Sequence, residues 1–190
     1  MRRVALKLEE AGIQYALVGG MAVNAHQHPR TTKDVNFLIT PQGMASFLRT
    51  YIPAEFEPSA GHPRRFVDRV TGVTFDFLVT GRFPGNGQPG PIAYPDPENV
   101  SQTIDNTRVV NLATLIELKL AARRHKDFGD VVELIRVHNL DETFTSRVHP
   151  TVHGDFIECL EEKRREDEYE ARENRAFERT FRPDLPPESA

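Results

Sequence analysis

Tyr15-Ala-Leu-Val-Gly-Gly-Met-Ala-Val-Asn-Ala-His-Gln-His-Pro-Arg-Thr-Thr-Lys-Asp-Val-Asn-Phe-Leu-Ile39 is the stretch that decides how this chain folds. Gln14 to Val18 is a short, largely apolar run with the character of a buried strand. Gly19-Gly20 breaks it, Met21 to His26 can open a helix, and Pro29 ends that helix because the residue before a proline is driven out of helical conformation. Bare glycine backbone lets an anion come close, and the free N–H groups of a helix start would face it. From Asp34 the chain alternates with the period of a strand. Asp34, Asn36 and Leu38 fall on one face, and Val35, Phe37 and Ile39 on the other.

Working outward, residues 3–11 carry apolar positions at Val4, Leu8 and Ala11, with Gly12 as a stop, which predicts a short amphipathic helix. Thr40-Pro41 reads as an N-cap and first-turn pair, with a helix to about Tyr51. Arg65 to Val70 and Val73 to Val79 predict a hairpin around Thr71-Gly72. In its second strand Thr74, Asp76 and Leu78 share a face opposite Phe75, Phe77 and Val79. Residues 80–99 are rich in Gly and Pro and read as a long loop, a length often tied to function. Val109-Val110 suggests a last short strand. Asn111 can cap a helix with Leu112, Leu115, Ile116 and Leu120 on its apolar positions, and a second helix from about Asp127 turns Val131, Leu134 and Ile135 inward. From Asp155 the character changes: Glu161 to Arg175 is nearly all charged, the pattern of a solvated helix ending before Pro183, and Pro186 to Ala190 read as disordered.

The bulk properties bound the function. The sequence has 190 residues, 38% hydrophobic and 27% charged, with a formal net charge of −4. That balance argues against a surface coated in phosphate-binding residues and leaves room for a local basic groove. A single cysteine, Cys159, fits a reducing compartment. No stretch has signal-peptide character or approaches the roughly 20 apolar residues of a membrane helix. The expectation is a cytoplasmic protein with no membrane association.

Asp76, set among Phe75, Phe77 and Leu78, needs a cation or a partner, because a carboxylate among apolar groups is costly alone. Asp34, Asn36 and Asp76 on adjacent strands would suit a hard divalent ion such as Mg²⁺, able to neutralise a triphosphate while a hydroxyl attacks its α-phosphorus. The order of strand, Gly19-Gly20, short helix, Arg30-x-Thr32-x-Asp34-hydrophobic-Asn36 resembles the signature of the polymerase-beta-type nucleotidyltransferase superfamily, most like the AbiEii-type toxin nucleotidyltransferases. Asp76 in Thr74-Phe75-Asp76-Phe77-Leu78-Val79 matches their third carboxylate. Leu118-Lys119-Leu120-Ala121-Ala122-Arg123-Arg124-His125-Lys126-Asp127-Phe128-Gly129-Asp130-Val131 is similar to a segment in which relatives carry Lys, then Arg, Lys-Asp and Asp, and whose Lys is associated with nucleotide and phosphate contacts. The resemblance covers about residues 10–140.

What it implies is a minimal nucleotidyltransferase fold of α/β (α+β) class: a small mixed β-sheet flanked by helices, with a helical C-terminal part. Residues 1–110 would be the core, 111–155 a helical part completing the nucleotide site, and 156–190 a charged helix and tail. The activity implied is transfer of NMP from an NTP to a hydroxyl of RNA, such as tRNA, or of protein, in the manner of a toxin that pairs with an antitoxin protein. Asp34, Asn36 and Asp76 would be catalytic and hold one or two Mg²⁺ ions. Gly19, Gly20, Arg30, Thr32, Lys119, Arg123, Lys126 and Asp127 would hold the nucleotide. Asn36 departs from the pattern, because active members usually carry Asp there; a neutral amide bridges two cations less well. The alternative implied by that departure is a degenerate relative that binds nucleotide or a partner without turnover.

Plainer readings stand beside these. Gly19-Gly20 is also an ordinary tight turn, Asp34 a turn residue, and Asp76 a partner for Arg65 or Arg69. Lys119, Arg123, Lys126 and Asp127 also suit a solvated helix face, although Lys119 sits within an apolar run. His26 and His28 read as packing or surface residues, and His149 and His153 lack a third ligand.

Overall fold

The computed structural model describes residues 1–32 and 34–181. The chain forms a mixed α/β structure around a seven-stranded sheet ordered β3-β4-β5-β2-β1-β7-β6. The strands are β1 (Tyr15–Val18), β2 (Val35–Ile39), β3 (Phe56–Ser59), β4 (His62–Asp68), β5 (Thr74–Val79), β6 (Ser101–Ile104) and β7 (Thr107–Val110). β2 pairs β5 and β1 pairs β7 in parallel; the other ladders are antiparallel. Every residue of β1 is buried, as expected for a continuous apolar run at the centre of a sheet.

Helix α1 (Arg2–Glu10) buries Val4 and Leu8, one turn apart, and gives way at Gly12 with φ +65°. Helix α3 (Pro41–Tyr51) starts as its sequence predicts: the Thr40 side chain accepts from the Gly43 N–H at 3.0 Å, with Pro41 in the first turn. Under α3 the β2 and β5 side chains of one face build an aromatic core. Phe47 sits edge-on to Phe77 with ring centroids 4.9 Å apart, and Phe37, Phe56, Phe66 and Phe75 surround them. Because a strand alternates, burying Phe75 and Phe77 on this face puts Asp76 and Leu78 on the opposite one. That opposite face meets α2 (Gly19–Ala25) and α5 (Leu112–Ala122), and it is where polar side chains collect.

Several elements differ from the sequence reading. α2 begins on the two glycines rather than at Met21, and Asp34 lies just before β2 rather than in it. β3 has no counterpart in the sequence pattern, since Pro58 interrupts it; the proline is tolerated because β3 is an edge strand. The single-turn α4 (Pro97–Val100) begins within what reads as loop, and β6, a polar edge strand, forms just beyond it where the sequence pattern assigns no element. Helix α6 (His125–His138) starts two residues before Asp127, and α7 (His153–Phe181) two before Asp155. α7 packs through Phe156, Cys159 and Leu160, and Arg136 of α6 pairs with Glu166 at 2.5 Å; beyond that its residues are largely exposed. The expected end before Pro183 and the tail from Pro186 lie outside the described residues. No described helix is long and apolar enough to cross a membrane.

Candidate nucleotide site

The register of the sheet draws one row of side chains across four strands. Arg65 on β4 lies opposite Asp76 on β5, Asp76 beside Asn36 on β2, and Asn36 opposite Val18 on β1. Gly19 follows Val18 with φ +68°, and a Cβ there would stand 2.9 Å from Asn36 Nδ2. Glycine is therefore required twice over, by the backbone angle and by the amide that fills its side. Gly20 faces elsewhere. A Cβ on it would meet Thr32 Oγ1 at 2.5 Å, so this glycine lets the 30–32 segment close over α2 rather than lining an open space.

Beside this row is a cleft of about 260 Å³ lined by Gly19, Asn36 and Leu78. Lys119, Arg124 and Asp127 border it from the α5–α6 corner and Arg64 from β4. Its remaining wall is the Gly/Pro loop. Tyr94 N–H donates to Arg82 O at 2.7 Å and Gly81 N–H to Tyr94 O at 2.9 Å, while Thr80 Oγ1 reaches Pro95 O at 2.9 Å. The ends of the loop are thus fastened together, and its tip presses on α5, where a Cβ at Gly85 would be 3.0 Å from Ala122 O. Tyr94 lines the cleft, and burial raises its hydroxyl above the usual tyrosine range.

Lys119 is 4% exposed and finds its anions within the chain. Its Nζ lies 3.2 Å from Asp127 Oδ1 and 2.5 Å from Asp130 Oδ2. Arg124 Nε reaches Asp127 at 2.5 Å, and Arg30 Nη2 reaches Asp130 at 2.7 Å. The result is a chain of alternating charges, Arg124–Asp127–Lys119–Asp130–Arg30, that pins the start of α6 to α5 and to the 30–32 segment. Burial alone would raise the Asp130 carboxyl; the hydrogen bonds from Arg30 and Lys119 outweigh it and hold it below the usual carboxylate range. The hydrogen bonds it donates to Asp127 hold the Arg124 guanidinium above its usual value.

The three oxygen-bearing side chains of the sequence reading do not form an acidic cluster. Asp76 is bound by Arg65 through two nitrogens, Nε to Oδ1 at 3.0 Å and Nη2 to Oδ2 at 2.9 Å. This is the plainer reading of Asp76, with Arg65 rather than Arg69 as partner; Arg69 pairs with Glu57. Asp76 holds Arg65 above its usual value, and Asp34 adds to that from further away. Asp34 itself is exposed, and its carboxylate has no hydrogen-bond or ion-pair partner among the described residues. Among those residues no group of three or more His, Cys, Asp or Glu side chains converges as a metal site would.

For the Mg²⁺ implied by the resemblance, the donor set does not fit a two-ion site. One carboxylate stands alone, one position is a neutral amide, and the third carboxylate is neutralised by an arginine anchored directly across the ladder from it.

Arg123 and Lys126 stand apart from this cleft. They border a second cavity of about 720 Å³ between α6 and α7, together with His28, Glu133, Glu158 and Glu162. Arg123 pairs with Asp155 at 2.6 Å. The physical reason is the corner: Arg123 takes a left-handed φ of +53° as the C-cap of α5, so the chain reverses and the residues after it project from a new helix. Arg64, Arg124 and Tyr94 carry no local signal in the sequence that marks them as site residues. His26 is a packing residue, its Nε2 2.8 Å from Val110 O; His149 and His153 bond locally, to Thr151 and to Val148 O.

Several solved structures are similar in backbone, two of them as follows. One is the JHP933 protein of Helicobacter pylori, at 14% identity, covering 75% of this chain and 70% of that one, with a TM-score of 0.41. The other is an antigenic nucleotidyltransferase-like protein of Paracoccidioides brasiliensis, at 17% identity, 83% and 88% coverage, and a TM-score of 0.45. No family model matches the sequence, and no curated protein matches it.

Proposed function

We propose that this cleft is a nucleotide site of nucleotidyltransferase type and that it holds an NTP by its phosphates. The observation that carries the reading is electrostatic. In a chain with a net charge of −4, Arg64, Lys119 and Arg124 border one small cleft; Asp127 and Asp130 hold Lys119 and are shared with Arg124 and Arg30, so the corner keeps a net positive charge, and Arg64 has no ion-pair partner among the described residues. Positive charge collected in a concave, partly dry site favours anions strongly, because the wall around it screens less than water does. Arginine is the better grip on phosphate oxygens, since its planar fork donates two parallel hydrogen bonds. The volume is near the lower end for small-molecule sites (~300–1,000 Å³), so it suits the phosphates, with the nucleoside lying toward the 83–87 loop and Tyr94.

A second reading goes further and makes the chain a transferase. In it an acceptor hydroxyl attacks the α-phosphorus of the bound NTP, an O–P bond forms, and pyrophosphate leaves. The unpaired carboxylate of Asp34 favours this reading, because it is the acidic group beside the row left able to take the hydroxyl proton. The acceptor would be an RNA, such as a tRNA, or a protein, and the partner an antitoxin protein that silences the site.

Titration calorimetry of the full chain with each of the four NTPs tests the first reading. Wild type gives saturable binding, and Arg64→Gln and Arg124→Gln, both at exposed positions, each weaken it about tenfold, the loss of one charge-assisted contact. No saturable heat from any NTP sinks the proposal. Pyrophosphate release with total cellular RNA as acceptor tests the second. Turnover above that of Asp34→Ala supports transfer, and equal, background release from both proteins removes it.

A further inference from the structure

We propose that this site binds nucleotide phosphates without a divalent cation, with arginine supplying the positive charge. The inference rests on the nucleotide reading above and concerns how that same site recognises its ligand.

A divalent ion placed on the row Arg65–Asp76–Asn36 would be held by free carboxylate oxygens together with the ligand's phosphates. Asn36 offers none, because its amide is neutral and carries N–H donors as well as a carbonyl oxygen. Asp76 offers its carboxylate to Arg65 in a two-point pair. β4 holds Arg65 in register directly opposite Asp76, so its guanidinium already occupies the carboxylate, and a cation entering beside it would meet its full positive charge. That leaves Asp34 as a lone exposed carboxylate, which in water holds a divalent ion weakly. On the cleft side the balance is positive: Arg64 has no ion-pair partner among the described residues, and the corner sets Arg124, Lys119 and Arg30 against Asp127 and Asp130. The positive charge that a metal would bring to the phosphates is already built into the strands and the α5–α6 corner.

The same geometry says what would restore metal dependence. Removing the guanidinium frees Asp76, and an acid at position 36 adds a second carboxylate beside it in register. Arg65→Gln combined with Asn36→Asp then presents three carboxylates to a cation: those of Asp34 and Asp76, and the new one at position 36.

The test is calorimetric titration of the full chain with ATP, GTP and inorganic tripolyphosphate, each in excess EDTA and in excess Mg²⁺. Wild type binds as tightly in EDTA as in Mg²⁺, or more tightly, because Mg²⁺ masks the phosphate charge that the arginines read. The Arg65→Gln/Asn36→Asp variant binds about tenfold more tightly with Mg²⁺ than with EDTA, which is ~1.4 kcal/mol. Should that variant misfold, wild type and Arg64→Gln decide alone: the Arg64 change weakens binding in EDTA. Wild-type binding that needs Mg²⁺ overturns the inference and leaves the nucleotide reading standing. Absence of binding under both conditions overturns the two together.

Discussion

Replacing Lys119 by methionine, which keeps the stem and removes the ammonium, is the sharpest physical test of the α5–α6 corner. Lys119 is 4% exposed, and the two carboxylates it bridges, Asp127 and Asp130, are 2% and 5% exposed. Taking one partner from a buried ion pair typically costs ~3–5 kcal/mol, because the remaining charge stays buried without compensation. Here each aspartate keeps one arginine, Arg124 or Arg30, so the cost falls at the low end, about 3 kcal/mol. For a chain of this size each kcal/mol lowers Tm by ~2–4 °C, which gives a drop of ~6–12 °C at neutral pH. The pH dependence adds a second condition. In wild type the hydrogen bonds from Arg30 and Lys119 depress the Asp130 carboxyl, so its contribution is present above the usual carboxylate range and is lost as pH falls through the depressed value. Without Lys119 that carboxyl rises and accepts a proton sooner, which relieves the buried charge. The gap between the two proteins therefore narrows on acidification from pH ~7 toward ~4. Thermal unfolding by circular dichroism across that range is the assay. Equal Tm at neutral pH, or a gap that widens in acid, refutes the account of Lys119 as the centre of a buried ion chain.

Packing and protonation give two more tests. Gly43 sits in α3 where a Cβ would lie 2.9 Å from Ile13 Cγ2 and Ile39 Cγ1. Gly43→Ala gains ~1 kcal/mol of helix propensity but forces overpacking of ~1–3 kcal/mol, so it is neutral to destabilising, by up to ~2 kcal/mol in urea unfolding; a clear gain in stability contradicts the packing. His26 is held below its ordinary value mainly by burial, with His138 pushing the same way and the Val110 carbonyl opposing. The unfolded chain then binds the extra proton first, so stability falls as pH drops below ~6.5, with a slope of no more than ~1.4 kcal/mol per pH unit from this group. A His26→Gln variant whose urea midpoint keeps the same slope between pH ~7 and ~5 would remove that assignment.

What the sequence made legible follows from short-range physics. Thr40 and Asn111 announce helix starts because a side-chain oxygen satisfies an N–H only a few residues away, and both do so here. The alternation at 34–39 and 74–79 separates the aromatic face from the polar one, and residues as distant as Asn36 and Asp76 fall on the same face for that reason. What stayed hidden depends on register and on corners. The hairpin offers Arg65 or Arg69 as partner for Asp76, and only the register of β4 chooses Arg65. The anions of Lys119 lie across a reversal that a single left-handed residue, Arg123, creates, and the same reversal carries Lys126 away to the second cavity. A strand containing Pro58 and a polar edge strand at Ser101–Ile104 carry too weak a pattern to be seen without their neighbours.

The two-sided sheet has a consequence for how such a site can change over time. Stability is vested in the rings of Phe37, Phe47, Phe75 and Phe77, while ligand chemistry is vested in side chains one residue out of phase on the other surface. Exchanges at 36, 65 or 76 therefore leave the rings untouched, and the frame tolerates drift between acid, amide and guanidinium at low thermodynamic risk. A fold partitioned in this way can trade one ligand preference for another by single steps, each of which still yields a protein that folds.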